Sequence, residues 1–95
     1  MAFGTAKKNS TLIYEKIETG PYSFAANTWT DISVNVKKDG YTPLCALPWG
    51  TRGQYLLWMS CRLDNSTTAT ATIRSLSGSV ISHSIDIGVL YVKDL

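Results

Sequence analysis

The feature that most constrains the fold of this chain is a strict alternation of apolar and polar residues. Ile32, Val34 and Val36 fall on one side of a period of two, and polar or charged residues fall between them. The same alternation recurs over residues 68–74 and again from residue 81 onward. Because successive side chains of a strand point to opposite faces, each run predicts a strand with one buried face and one solvated face.

Turn-forming residues separate these runs at intervals of about ten residues, which is typical of a β-sandwich. They include TGP at 19–21, KDG at 38–40 and DNST at 64–67, and no segment joins a helix cap to a 3.6-residue period. We therefore predict a small antiparallel β-sandwich of about seven strands, either jelly-roll or immunoglobulin-like. Residues 1–10 are predicted to form a flexible arm or junction, and residues 11–95 a single sandwich domain.

Two prolines mark the middle of the chain, in the segment GYTPLCALPW at residues 40–49. Proline lacks a backbone donor, so Pro43 and Pro48 are not both expected inside a central β ladder. The segment is therefore predicted to be an extended edge strand or a crossover.

Residues 55–59 and 89–92 are apolar on both strand faces. A two-layer sandwich buries only one face of each strand, so the second face needs cover. One interpretation is that these are central strands with a few tolerated outer apolar groups. The other, which we favour, is that a second copy of the chain covers them. The candidate interface residues are Leu56, Trp58, Leu90 and Val92.

The charge balance argues against nucleic-acid and membrane partners. The formal net charge is +2, and the lysines occur as the isolated pairs 7–8 and 37–38 instead of a basic stripe. No run approaches the ~20 apolar residues that a membrane-spanning helix needs. The polar NST at residues 9–11 stands where a secretion signal would need its apolar core, so no secretion signal is expected.

Residues that carry chemistry are few, so we predict no enzyme, no cofactor and no metal site. His83 is the single histidine, the seven acids are scattered, and no phosphate-binding or nucleophile motif is present. His83 falls on the inward side of the last strand and is expected to be a packed or rim residue. The spacing of Cys45 and Cys61 fits no zinc motif. They are expected to be buried thiols, with a bridge between neighbouring strands left open.

Aromatic side chains are the better functional signal. The segment WGTRGQY at residues 49–55 places two aromatics, an arginine and an amide around one loop. Such a set suits a rim that stacks on a glycan, and it equally suits core or interface packing. The candidate binding residues are Trp49, Arg52, Gln54 and Tyr55.

Three segments in order, WTDISV at 29–34, GYTPL at 40–44 and VLYVK at 89–93, resemble the small C-terminal β domains of bacteriophage tail, baseplate or fibre proteins. The resemblance covers the chain from about residue 22 to its end. It implies a trimeric virion module that is assembled in the host cytoplasm and contacts the host surface, with a host-surface glycan as a possible ligand. The alternative function is a monomeric carbohydrate-binding module that uses exposed aromatics.

Overall fold

A computed structural model describes residues 11–51 and 54–95 of the chain. These residues contain six β-strands, arranged in two antiparallel sheets. The all-β class predicted from the sequence is confirmed, with six strands in these residues instead of about seven. The strands are β1 (Leu12–Phe24), β2 (Trp29–Asn35), β3 (Tyr41–Thr51), β4 (Leu56–Leu63), β5 (Thr68–Ser75) and β6 (Ile81–Lys93). One sheet, called the β6 sheet, has the order β1–β6–β3, and the other, called the β5 sheet, has the order β2–β5–β4.

The strand count differs because the predicted turn at residues 19–21 is a bulge within one long strand. Thr19 pairs with Ile85 and Tyr22 with His83, so pairing to β6 resumes after a register shift. Gly20 carries the irregularity with a φ of +115°, a conformation that disfavours side chains, and an added Cβ would lie 3.0 Å from the Ser84 Cα. Gly-Pro fits a turn and a bulge equally well, and only the partner strand decides between them.

The core lies between the two sheets, where the alternating apolar residues predicted for β2, β5 and β6 meet. Burying each aliphatic side chain of this size contributes about 1.5–3 kcal/mol relative to leaving it exposed. Tyr91 is also buried, and its hydroxyl donates a hydrogen bond to the Val36 carbonyl oxygen at 2.6 Å. The largest contributions come from Ile32, Val34 and Val36 of β2 and its end, Ile73 of β5, and Ile85, Ile87 and Val89 of β6.

β3 is an edge strand of the β6 sheet, as its prolines predicted. Its two register shifts lie beside those prolines, between Pro43 and Cys45 and between Pro48 and Gly50. Gly88 of β6 lies in regular register, paired with Lys16 of β1 and Leu47 of β3, so this glycine does not mark a bulge. A side chain at position 88 would instead overlap the Tyr14 side chain, which explains the glycine.

The chain ends of the described region share one pole of the sandwich. The Lys93 amide donates to the Thr11 carbonyl oxygen at 2.6 Å, and the Asp94 amide donates to the Gly40 carbonyl oxygen at 2.9 Å. At the opposite pole, which we call the loop pole, the Leu76 amide donates to the Tyr55 carbonyl oxygen at 2.7 Å. The connections between β1 and β2, β3 and β4, and β5 and β6 therefore meet at the loop pole.

Candidate interaction surfaces

The two sheets differ sharply on the faces that point away from the core. The outer face of the β5 sheet is polar over most of its length, with exposed Trp29, Leu57 and Met59 at its end towards the loop pole. The Thr72 hydroxyl there donates a hydrogen bond to Asp31 Oδ1 at 2.7 Å. Such a face is stable in water without further cover. Its polar residues include Asp31, Ser33, Asn35, Thr68, Thr70, Thr72 and Arg62.

The outer face of the β6 sheet is apolar over much of its length. Five large apolar side chains from the two edge strands flank it, and each is 47–50% exposed. Between them, on β6, lie the half-buried Leu90 and Val92. We call this surface the apolar face; its five exposed members are Leu12, Tyr14, Leu44, Leu47 and Trp49.

An aromatic pair crosses the apolar face above Gly88. The rings of Tyr14 and Trp49 stack with centroids 5.3 Å apart and planes inclined by 15°. Tyr14 reaches across β6 because Gly88 has no side chain, and an added Cβ there would overlap the Tyr14 hydroxyl. The Lys16 ammonium lies 5.9 Å from the Trp49 ring centroid and adds a cation–π contact. The glycine thus allows two edge strands to join their aromatics above the central strand.

The four predicted interface residues lie on different sides of the protomer. Leu56 is buried in the core, and Trp58 is partly buried against it, its indole nitrogen having no hydrogen-bond partner among the described residues. Leu90 and Val92 lie on the apolar face. Leu44 and Leu47 of β3 also lie exposed on the apolar face. The sequence did not predict their exposure, because it follows from the position of β3 beside β6.

The predicted glycan-rim residues also separate. Trp49 belongs to the apolar face, whereas Gln54 and Tyr55 lie exposed in the turn before β4. Tyr55 is 60% exposed and has a φ of +67°, which is uncommon for a bulky side chain. Arg52 lies outside the described residues. Trp49 and Tyr55 therefore present aromatic surface in two places.

A further cluster, which the sequence analysis did not predict, crosses the outer face of the β5 sheet near the loop pole. Arg74 of β5 pairs with Trp29 of β2 on one side and with Leu57 of β4 on the other. The Arg74 guanidinium carbon lies 5.6 Å from the Trp29 ring centroid. These three residues, called the Trp29 row, are 45 residues apart at most in sequence, so only strand order and register bring them together.

Ionisable groups elsewhere serve mainly to close the sandwich. The Lys38 ammonium lies 2.8 Å from Glu15 Oε1, and this hydrogen bond raises the pKa of Lys38. Burial raises the pKa of Tyr91, and the nearby Glu15 carboxylate adds to the effect. His83 is half-buried opposite Tyr22.

The two cysteines are free thiols, half-buried in different sheets. Burial raises the pKa of the Cys61 thiol, which disfavours the reactive thiolate. Within residues 11–51 and 54–95 there is no group of three side chains suited to a metal ion and no enclosed cavity. The same residues contain no helix of the length and apolar character needed to cross a membrane.

Comparison with known proteins gives no relative. No protein-family model matches the chain, and neither a curated protein nor a solved structure does.

Proposed function

We propose that this chain is a structural and adhesion module of a bacteriophage virion, in a tail, a fibre tip or a decoration, and that it has no catalytic role. In this proposal it assembles as a homotrimer in the host cytoplasm and contacts the host cell surface once in the virion. The observation that carries the proposal is the apolar face of the β6 sheet.

Physical chemistry favours a protein partner for that face. Five half-exposed large side chains on one open sheet, with Leu90 and Val92 between them, amount to an apolar patch of several hundred Å², the size at which patches on soluble proteins mark interaction sites. A stable interface buries about 800 Å² per partner, so the patch with its rim is of the right order. The polar outer face of the β5 sheet then remains towards solvent.

The strand pairing and the family resemblance support the finer parts of the proposal. The pairs β1–β6 and β2–β5 are nested in sequence, which favours a shortened jelly roll over an immunoglobulin-like order. Jelly rolls are frequent in viral capsid proteins. The apolar face supports association, and the resemblance to phage tail and fibre domains supports three copies.

The mass of the particle in solution tests the proposal. At micromolar concentration, light scattering is expected to give three times the protomer mass of 10.4 kDa. Leu47→Lys places a charge in the middle of the apolar face and should yield a folded monomer. Leu57→Lys is a matched control, since Leu57 has a similar exposure on the other sheet. A wild-type protein that is still monomeric at tens of micromolar would refute the assembly, since ordinary oligomers form at such concentrations.

A second candidate function, a monomeric carbohydrate-binding module, is favoured by the aromatic pair on the same face. Trp49 is 49% exposed and is held flat against Tyr14, so a sugar ring has a rigid apolar plate to stack on. In that case Trp49→Ala abolishes glycan binding while the wild-type protein stays monomeric. Trimer formation with Trp49 protected from solvent would exclude this alternative.

A further inference from the structure

We propose that the Trp29 row, on the outer face of the β5 sheet, binds an anionic sugar that carries a carboxylate or a phosphate group. This inference goes beyond subunit association and concerns the opposite side of the sandwich from the apolar face. It rests on the arrangement of Trp29, Arg74 and Leu57 and on the row next to them.

The register of the β5 sheet builds a platform from three neighbouring strands, next to a register shift of β4 where Met59 is also 44% exposed. Trp29, Arg74 and Leu57 occupy one line across β2, β5 and β4, with strands about 4.8 Å apart. Trp29 is 56% exposed and Leu57 is 48% exposed. A cation therefore lies between two exposed apolar surfaces. No cavity encloses it within the described residues, and an open platform suits a ring that lies flat.

Arg74 is oriented by an aromatic ring instead of by a carboxylate. Its guanidinium lies over the Trp29 ring, and among the described residues no acidic side chain forms an ion pair with it. Arg62, on the same face, differs because its Nε lies 3.3 Å from Asp64 Oδ1. A cation–π contact at this distance uses none of the guanidinium N–H donors, and their planar fork matches a carboxylate or phosphate.

The next row along the strands supplies groups that suit sugar hydroxyls. Asp31 Oδ1 accepts the Thr72 hydroxyl, and Asp31 Oδ2 remains an additional acceptor on an exposed side chain. Ser60 of β4 pairs with Thr72 and extends this row. The Asp31 charge disfavours an anion above its own row, so the anionic group is expected at Arg74 and the hydroxyls at Asp31. A sugar acid or sugar phosphate presents both groups on one ring.

A further aromatic side chain is exposed near the loop pole. Tyr55 is exposed, adopts a left-handed backbone conformation, and is anchored by its carbonyl oxygen to the Leu76 amide. It precedes β4 by one residue and so lies at the same pole as Leu57. Strained conformations are often retained where a side chain serves a function. Binding at a shallow site is weak for one copy and gains from several copies in one assembly.

Titration of the full chain tests the site. The probes are a galacturonate tetrasaccharide, a hexose 6-phosphate and neutral maltotetraose. Binding is measured by calorimetry and by the change in the NMR signal of the Trp29 indole N–H. We expect at least one anionic probe to shift that signal and to bind about tenfold more tightly than the neutral sugar. The carboxylate and phosphate probes distinguish the two sources of the anion.

Variants separate a binding role from a structural one. Arg74→Lys keeps the charge but loses the planar donor fork, and we expect about tenfold weaker binding with little change in thermal stability. Trp29→Ala should weaken binding similarly, and Trp29→Tyr, which keeps a ring, should partly restore it. Arg62→Lys is the matched control and should leave the affinity within about twofold.

Three outcomes would overturn the site: equal affinity for the neutral and anionic sugars, unchanged binding by Arg74→Lys, or ligand shifts at the Trp49 indole in place of Trp29. Light scattering on each variant keeps this proposal separate from the proposed assembly. A monomer that binds the anionic sugar at Trp29 would contradict the trimer and support the site. A trimer that binds none of the probes would do the reverse.

Discussion

Gly88 is the single residue on which the arrangement of the apolar face most depends. Replacing it with alanine places a methyl group where the Tyr14 hydroxyl lies. Because Tyr14 is a flexible side chain at the surface, we expect it to move away and to lose its stack with Trp49. Near-UV circular dichroism should report that loss. The free energy of unfolding should change by no more than about 1 kcal/mol, since alanine is also the better strand residue.

The control for Gly88→Ala is the same change in a Tyr14→Ala background. There the new methyl group meets no ring, so the near-UV spectrum should not change further. An intact aromatic signal in Gly88→Ala alone would mean that Tyr14 does not lie across β6 in solution.

Tyr91 links the core of the sandwich to the chain that leaves β2. Tyr91→Phe leaves the buried Val36 carbonyl without its 2.6 Å hydrogen bond, so we expect a loss of about 1–2 kcal/mol in the free energy of unfolding at neutral pH. Chemical denaturation of the wild type and the variant measures it.

The pH dependence of that difference follows from the raised pKa of Tyr91. Burial and Glu15 raise this pKa above the ordinary 10.0, against a smaller opposing effect of Lys38. Above pH 10 the unfolded chain releases the proton while the folded chain keeps it, so this contribution to stability is present below pH 10 and is lost as pH rises. The gap between wild type and Tyr91→Phe should therefore narrow as the pH rises above 10. A constant gap would contradict the assignment.

At the scale of the strands, the close approach of the two sheets depends on the small residues of β5. Ala69 and Ala71 are 0% and 1% exposed and point between the sheets. Ala71→Leu overfills this space and should cost about 1–3 kcal/mol of unfolding free energy. Thr68→Leu, on the outer face of the same strand, should cost much less. Similar losses in both, measured by urea denaturation, would mean that β5 is not the closely packed centre of its sheet.

Strands with strict alternation are the elements that the sequence predicts best. Ile32, Val34 and Val36 define the buried side of β2 because a one-residue slip would expose all three. The structure at Gly20-Pro21 of β1 was harder to predict from the sequence, because a turn and a bulge use the same residue types. The prolines of β3 predicted an edge, since a missing donor is tolerated only there.

The surfaces were less predictable than the strands for one physical reason. Sequence periodicity shows which side of a strand is apolar, but strand order decides which neighbours share that side. Trp49 meets Tyr14 only because β1 and β3 flank β6. Trp29 meets Arg74 only through the register of β2 with β5. The sequence thus predicted an excess of apolar surface and located only part of it, at Leu90 and Val92.

For the molecule as a whole, the proposed assembly through the apolar face would link folding to association. A folded state that associates is stabilised as concentration rises, whereas the unfolded chain is not. We expect the thermal midpoint of the wild type to rise by about 3–6 °C between 1 and 100 µM, an order-of-magnitude range. Leu47→Lys should remove this dependence. Differential scanning calorimetry at several concentrations measures it, and a flat wild-type midpoint would count against assembly.

The shared pole of the two chain ends has a mechanical consequence. Force applied between residues 11 and 95 would peel β1 from β6 one hydrogen bond at a time, because both strands end at that pole. Force applied from that pole to the loop pole would instead load many hydrogen bonds in shear at once. Single-molecule pulling should therefore find low resistance in the first geometry and high resistance in the second. If the protein is held at its chain ends and binds its load at the loop pole, the force acts in the direction of high resistance.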